Sequence, residues 1–176
     1  VGVIGAGSFG TAIANLIALN TDVLLFSRKA HLVDKINEQH INIGVKLSPR
    51  IKATNDLQVV AEAATMIFLI VPSANFRSMM HNLAPFLKPS HILIHGTKGF
   101  DLNNLDEADI ANLEIKRSDV HTMSEVIAEE SVVVRIGCLS GPNLAREIIE
   151  GQPTATVIAS KFSEVIKSAR RVLNSK

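Results

Sequence analysis

Apolar runs of strand length alternate with helical patterns along most of the chain. Val1–Ile4 is a short apolar run, and the apolar positions of Phe9–Ala18 recur with the spacing of a half-buried helix. Met66–Val71 is unbroken apolar and closes at Pro72, which is typical of a strand covered on both faces. Because this alternation produces parallel β-α-β units, the sequence predicts an α/β fold with a doubly wound, mostly parallel sheet. Because the sequence contains no internal repeat, no low-complexity tract and no visible domain boundary, a single domain over residues 1–176 is expected.

The other predicted elements continue the alternation. Further strands are predicted at Val23–Ser27, Ile92–His95, Val132–Leu139 and Thr154–Ala159, and helices at Lys29–Gln39, Asn55–Ala64, Ala74–Leu87, Thr122–Ala128, Leu144–Glu150 and Phe162–Leu173. Asn55 or Asp56 is expected to cap the helix that follows it. Ile41–Ala53 is predicted as a loop with a short strand, and Asp101–Ile115 is polar and only weakly patterned.

Composition narrows the class of protein. Hydrophobic residues make up 47% of the 176, which indicates a folded globular chain, and 18 Lys and Arg against 17 Asp and Glu leave a net charge of +1. That balance gives no support for a nucleic-acid or membrane-surface partner. The single cysteine, Cys138, fits a reducing cytoplasm, and neither a membrane-length apolar run nor a secretory signal is visible. Since Val1 already lies in the first predicted strand, we expect a residue or two to precede it.

A glycine motif follows the first predicted strand directly. Gly5, Gly7 and Gly10 form G-x-G-x-x-G between that strand and a helical pattern, which is the context of a dinucleotide-binding turn. Gly5 permits the sharp turn, Gly7 lets a pyrophosphate approach the backbone, and Gly10 lets the helix pack closely on its strand. The amide groups and the dipole of the helix start favour phosphate binding.

Three later strand ends carry distinctive residues as well. Val71-Pro72-Ser73, Gly96-Thr97-Lys98-Gly99 and Ser140-Gly141-Pro142-Asn143 each follow a predicted strand. Ligands of doubly wound sheets bind beyond the carboxyl ends of the strands, so we expect all four turns to open onto one crevice.

Two cations are candidates for ligand binding, each with an ordinary alternative. Arg28 comes 18 residues after Gly10, where an NAD-selective site has an acid. Because an arginine can pair with a 2′-phosphate, Arg28 favours tolerance of, or preference for, NADP; it could also stack on adenine or be solvated. Lys98, between small residues, could meet an anionic substrate or the nicotinamide ribose, or be a solvated turn lysine. Asn143, beside a helix start, could bind a polar ligand or serve as an ordinary cap.

The histidines and the cysteine do not suggest a metal or a nucleophile. His91 and His95 share one strand face without acids or cysteines nearby, which indicates packing or edge positions rather than a metal pair, and we predict no metal site. The remaining histidines, at 31, 40, 81 and 121, are isolated and predicted to be solvated. Cys138 is predicted to be a buried, unreactive thiol.

Taken together, these motifs resemble those of the NAD(P)-dependent glycerol-3-phosphate dehydrogenase family. The matching segments are GAGSFGTAIA (5–14), VPSANFR (71–77), GTKG (96–99) and SGPNLAREI (140–148), in family order. The resemblance implies a Rossmann-type domain that binds NAD or NADP. It also implies interconversion of dihydroxyacetone phosphate and glycerol 3-phosphate by hydride transfer. The product, glycerol 3-phosphate, would be used in phospholipid biosynthesis.

The resemblance also assigns roles to residues. Ser8 and Phe9 match a cofactor-contacting pair, Arg28 the position beside the adenosine ribose or its 2′-phosphate, and Ala145 another cofactor contact. Lys98 matches a lysine that reaches both cofactor and substrate and assists catalysis. Gly141 and Asn143 match substrate-contacting positions. The predicted cofactor site also includes Pro72, which follows the strand at Met66–Val71, and the rest of the glycine turn: Gly5, Ala6, Gly7 and Gly10.

Family members continue into an all-helical domain that carries the main catalytic lysine, and this chain is expected to be the cofactor domain without it. The full enzyme could be a homodimer. Two other interpretations stay open: another two-domain dehydrogenase of the 6-phosphogluconate or hydroxyacid type, which the SGPN segment disfavours, and a non-catalytic NAD(P)-sensing module.

Overall fold

In a computed structural model, which describes residues 1–102 and 116–174, a seven-stranded sheet forms the centre of the molecule. Strands β1 (Gly2–Ile4), β2 (Val23–Phe26), β5 (Ile51–Thr54), β6 (Met66–Leu69), β7 (Ile92–His95), β10 (Arg135–Ser140) and β11 (Val157–Ser160) build it. Their order is β11-β10-β7-β6-β1-β2-β5, and every pairing is parallel except that of β10 with β11. The predicted doubly wound, mostly parallel α/β sheet is confirmed.

Seven helices occur in the described residues; the first six lie between strands along the chain, and the last follows the final strand. They are α1 (Ser8–Ala18), α2 (Ala30–Gln39), α3 (Leu57–Ala63), α4 (Phe76–Leu83), α5 (Met123–Glu130), α6 (Ala145–Ile149) and α7 (Ser163–Leu173), with short 3₁₀ turns at Ser73–Asn75, Ala84–Phe86 and Arg117–Asp119. Two small antiparallel pairs lie outside the central sheet: β3 (Ile41–Asn42) with β4 (Val45–Lys46), and β8 (Phe100–Asp101) with β9 (His121–Thr122). No helix in the described part of the chain combines the length and apolarity needed to span a membrane.

Successive residues of β1, β6 and β7 pack into two separate hydrophobic cores. Val3 joins a core that includes Ile13 and Ile17 of α1 and Val165 of α7. Its neighbour Ile4 joins a core on the opposite face, which the following side chains of α3, α4 and α5 complete: Val60, Phe76, Met80, Leu83, Val126 and Ile127. Because side chains alternate across a strand, both faces of the sheet are covered, and this explains the unbroken apolar run at β6.

Several predicted boundaries differ from those in the structure. The helix predicted over Ala74–Leu87 is divided, because Pro85 supplies no backbone N–H and a 3₁₀ turn replaces the last helical turn. The strand predicted from Val132 begins only at Arg135, and Val132 and Val134 are exposed. The predicted loop Ile41–Ala53 holds the β3–β4 hairpin and most of edge strand β5. Most of the weakly patterned segment Asp101–Ile115 lies outside the described residues.

Strand order places a ligand crevice beside β1. The chain moves outward from β1 through β2 to β5, and then returns to the other side of β1 with β6. Such a reversal leaves a cleft beyond the carboxyl ends of the two strands that flank it. The glycine turn follows β1 there, and Ile70, Val71 and Pro72 follow β6.

Candidate functional site

The glycine turn is locked between β1, β6 and α1. Gly5 has a φ of 116°, which favours glycine, and a Cβ on it would overlap the carbonyl group of Ile70. A Cβ on Gly10 would overlap the carbonyl oxygen of Gly5. Both predicted reasons for glycine, the sharp turn and the close helix packing, therefore agree with the structure.

Gly7 faces open space. A Cβ built on it meets no heavy atom within 4 Å, and its φ of −77° is accessible to any residue. Gly7 is the N-cap of α1, with no side-chain cap, so the amide groups of the first helical turn remain available to a ligand. The turn can accept an anion close to its backbone.

The four distinctive turns converge on one cavity of about 400 Å³. The walls come from the glycine turn, the end of β6, the turn after β7 and the start of α6: Gly7, Ser8, Phe9, Gly10, Ile70, Val71, Pro72, Gly96, Thr97, Lys98, Asn143, Leu144 and Ala145. The predicted shared crevice is thus confirmed. Thr97 fixes two of the turns to each other, because its Oγ1 donates a hydrogen bond of 2.7 Å to the carbonyl oxygen of Val71.

Lys98 and Asn143 supply polar groups to this cavity, which is the smaller of two beside the glycine turn. Lys98 is exposed, and no acidic side chain in the described ranges pairs with it. Asn143 is only 4% exposed; its Nδ2 donates to Thr156 Oγ1 at 3.3 Å. The Oδ1 atom of Asn143 is buried without a hydrogen-bond partner among the described residues. An unsatisfied acceptor in a cavity wall is suited to a ligand that donates a hydrogen bond.

Gly141 is placed differently from the other predicted substrate residues. It does not line the cavity, and a Cβ on it would lie 2.6 Å from the carbonyl oxygen of Ala155. With a φ of 130°, Gly141 makes the turn that brings Asn143 to the cavity. Its predicted contact with substrate stays a prediction.

A larger cavity of about 830 Å³ lies on the β2 side of the glycine turn. Gly5, Ala6 and Arg28 line it, and Gly7, Ile70, Val71 and Pro72 belong to the walls of both cavities. The two cavities therefore form one elongated crevice that passes over the glycine turn. Its shape is suited to a ligand with two halves joined at a phosphate group.

The contacts of His91, His95 and Cys138 do not indicate a metal site or a nucleophile. His91 and His95 are buried; His91 Nε2 lies 2.9 Å from the carbonyl oxygen of Ala61, and His95 Nε2 lies 2.9 Å from Ser124 Oγ. Burial lowers the pKa of His95. Cys138, which was predicted to be buried, is half-buried, and this partial burial raises the pKa of its thiol. Within residues 1–102 and 116–174, no group of three or more potential ligand side chains could hold a metal ion. The packing prediction for His91 and His95 is confirmed.

Two of the histidines predicted to be solvated are half-buried instead. His40 caps the end of α2 in a left-handed conformation with a φ of 50°. His121 Nδ1 lies 2.7 Å from a carboxylate oxygen of Glu129. His31 and His81 are exposed as predicted.

Sequence reasoning missed the contribution of the β3–β4 hairpin. Asn42 is fully buried, and its Nδ2 donates to the carbonyl oxygen of Ala6 at 2.9 Å and to Thr11 Oγ1 at 2.8 Å. Ile43 follows in a left-handed conformation with a φ of 44° and lines the larger cavity. The only sequence signal was Gly44, since a glycine between short apolar segments is typical of a tight hairpin turn.

The chain is similar to known proteins over most of its length. Residues 1–166 match a family model described as the NAD-dependent glycerol-3-phosphate dehydrogenase N-terminus. Among curated relatives, glycerol-3-phosphate dehydrogenase [NAD(P)+] of Acinetobacter baylyi is 36% identical, with 99% of this chain and 46% of the relative covered. The corresponding protein of Geobacter sulfurreducens is 32% identical, with 99% and 50% covered.

Solved structures give the same grouping. The crystal structure of glycerol-3-phosphate dehydrogenase from Coxiella burnetii has a TM-score of 0.82 and 28% identity, with 99% of this chain and 50% of that chain covered. This chain therefore spans about half the length of the proteins it matches.

Proposed function

The chain belongs to the NAD-dependent glycerol-3-phosphate dehydrogenase family, and from that premise we propose that it binds NAD or NADP along the crevice over its glycine turn. The observation that carries the proposal is Gly7, the N-cap of α1, which leaves open space at the junction of the two cavities. A pyrophosphate is the part of a dinucleotide that a helix N-terminus of this kind accepts.

The residues of the crevice divide between the two halves of the cofactor. Arg28, at the end of β2, lines the larger cavity and supplies a cation for the adenosine ribose or its 2′-phosphate. Ser8, Phe9 and Ala145 line the smaller cavity and would hold the nicotinamide half. Gly5, Ala6, Gly10 and Pro72 shape the passage between the halves.

For the whole protein, we propose the interconversion of dihydroxyacetone phosphate and glycerol 3-phosphate. When bound, the cofactor supplies the hydride. In this proposal Lys98, which lines the smaller cavity, holds the substrate oxygen and assists the proton transfer that must accompany reduction of a carbonyl. The unpartnered Oδ1 atom of Asn143 accepts a hydrogen bond from a hydroxyl group of the substrate or from the cofactor. The main catalytic lysine is proposed to come from a second, helical domain.

A cytoplasmic location and a homodimeric full-length enzyme are part of the same proposal. The balanced net charge of +1 gives no support for a nucleic-acid partner. One cysteine in 176 residues supports a reducing compartment.

Cofactor binding can be tested on the 176-residue chain by isothermal titration with NADH and with NADPH. We expect saturable binding of at least one of them, at one site per chain. Failure to bind either cofactor in a folded sample would contradict the proposal.

A further inference from the structure

The turn of the β3–β4 hairpin contains a residue that is unusual for its backbone conformation. Ile43 and Gly44 are its two central residues, with φ values of 44° and 80°. Positive φ at both positions is the signature of a type I′ turn, which favours Asn-Gly, Asp-Gly or Gly-Gly. Isoleucine is branched at Cβ and rarely adopts a positive φ, so the local sequence alone does not favour this turn conformation.

The surrounding contacts hold the hairpin in place despite this strain. Asn42, next to Ile43, is bound to Ala6 of the glycine turn and to Thr11 of α1. On the other strand, Asn15 of α1 donates to the carbonyl oxygen of Lys46 at 3.0 Å and accepts from the amide of Ser48 at 3.0 Å. Both strands are thereby fixed to the helix that begins at the glycine turn.

The strained backbone at Ile43 does not serve to bury its side chain. Ile43 is 49% exposed and lines the larger cavity, on whose walls Arg28 and Leu57 also lie. A strained, partly exposed apolar side chain in a cavity wall gains little in the protein alone. Strained residues concentrate at ligand-binding positions, where a bound molecule completes their contacts.

We propose that Ile43 packs against the adenine ring of NAD or NADP and thereby determines the affinity of the adenosine half. The inference rests on the proposed cofactor binding, because it assigns the larger cavity to that half. Adenine offers a flat, largely apolar face, and covering it removes apolar surface of Ile43 from water. The branched side chain is stiff at χ1, so it loses little rotamer freedom on binding.

Opposite effects on stability and affinity distinguish this role from a merely structural one. Ile43→Asn gives the turn the Asn-Gly pair that its backbone conformation favours, so the midpoint of thermal unfolding should rise. The same substitution removes the apolar contact, so affinity for ADP-ribose and for NADH should fall by a similar factor, roughly three- to ten-fold. Ile43→Val keeps a branched apolar side chain and should stay close to the unmodified chain in both measurements.

The experiment is calorimetric titration with ADP-ribose and NADH, paired with thermal unfolding, on the unmodified chain and three variants. Val132→Asn is the matched control, because Val132 is also branched, apolar and exposed, and it lies outside both cavities. Unchanged affinity of Ile43→Asn, with the unmodified chain binding normally, would overturn the inference about Ile43 alone. A drop in affinity accompanied by a lower unfolding midpoint would make Ile43 a structural residue and overturn it as well. If the folded, unmodified chain bound neither ligand, the proposed function and this inference would both fail.

Discussion

The side-chain amide of Asn42 donates a hydrogen bond of 2.9 Å to the carbonyl oxygen of Ala6, and so joins the β3–β4 hairpin to the glycine turn. Asn42 lies 36 residues after Ala6 and is fully buried. Its second hydrogen bond, to Thr11 Oγ1, reaches the first turns of α1. The conformation of the phosphate-binding turn therefore depends on a side chain outside the strand-turn-helix unit that contains it.

Asn42→Ala should weaken both the fold and cofactor binding. It leaves the carbonyl of Ala6 and the hydroxyl of Thr11 without this partner, which should lower the free energy of unfolding by about 1–3 kcal/mol. The loosened turn should lower NADH affinity by roughly three- to ten-fold, the equivalent of about 0.7–1.4 kcal/mol. Urea unfolding and calorimetric titration measure the two effects.

Asn37→Ala is the matched control for that substitution. Asn37 also makes two side-chain hydrogen bonds, donating to the carbonyl oxygen of Ala53 and accepting from its amide, but it is exposed and makes no hydrogen bond with the glycine turn or α1. We expect it to reduce stability without changing NADH affinity. Equal loss of affinity in both variants would mean that Asn42 acts only through overall stability.

Gly7 and Gly10 should respond in opposite ways to the same substitution. Gly7→Val should fold, with a loss of about 1 kcal/mol from a poorer N-cap residue. NADH binding should still fall by at least about ten-fold, because the side chain occupies the open space above the turn. Gly10→Val should lower the free energy of unfolding by at least about 3 kcal/mol, since its side chain would overlap the carbonyl of Gly5. Circular dichroism with urea and NADH titration separate the two effects, and a folded Gly7→Val variant with unchanged affinity would show that phosphate binds elsewhere.

The sequence predicts the fold and the main parts of the crevice because their signals are local. The glycine motif lies between a strand and a helix within a few residues, and the turns at Pro72, Lys98 and Asn143 each follow an apolar strand. Parallel topology then brings these turns to the same end of the sheet without further information. Strand β5 is less evident, since it lies at an edge of the sheet and only Ile51 and Ala53 of its four residues are buried.

The parts that sequence reasoning missed depend on contacts between distant residues. Nothing near Asn42 indicates that it reaches Ala6, and an isoleucine at position 43 argues against the turn it occupies. A type I′ turn with Ile43 costs on the order of 1–3 kcal/mol of backbone strain, which tertiary contacts must offset. Arg77 likewise pairs with distant carboxylates: Asp101 lies 24 positions away along the chain, and Glu130 lies 53 positions away.

Arg28 should distinguish NADP from NAD. Arg28→Asp replaces a cation that can pair with the 2′-phosphate by an anion that repels it, so NADPH affinity should fall roughly ten-fold or more. NADH affinity should change much less. Arg50→Asp makes the same change in net charge outside both cavities and controls for the overall field. Equal weakening of both cofactors by Arg28→Asp would indicate that Arg28 stacks on adenine or is solvated.

Arg77 should stabilise the fold through three carboxylates at once. It lies within 2.9 Å of carboxylate oxygens of Asp101, Glu129 and Glu130, and so joins α4 to α5 and β8. Arg77→Met leaves these acids together without their cation, and the free energy of unfolding should fall by on the order of 2 kcal/mol. High salt should restore part of the loss by screening the repulsion. The control is Arg146→Met, which removes one exposed pair with Glu150 and should change stability by less than about 0.5 kcal/mol. Equal, small losses of stability in both variants would contradict a stabilising ion-pair network around Arg77.

His95 should make the fold sensitive to mild acid. It is only 6% exposed, and burial lowers its pKa below the ordinary value of 6.5, so the folded state resists protonation where the unfolded state accepts it. Because the unfolded state then binds more protons, the free energy of unfolding should decrease as the pH falls below 6.5 toward the lowered pKa, by up to about 1.4 kcal/mol per pH unit. His95→Gln should flatten this dependence below about pH 6.5, even if it lowers stability at neutral pH. Urea unfolding across this range measures the slopes, and an identical slope in His95→Gln and the unmodified chain would assign the acid sensitivity to other groups.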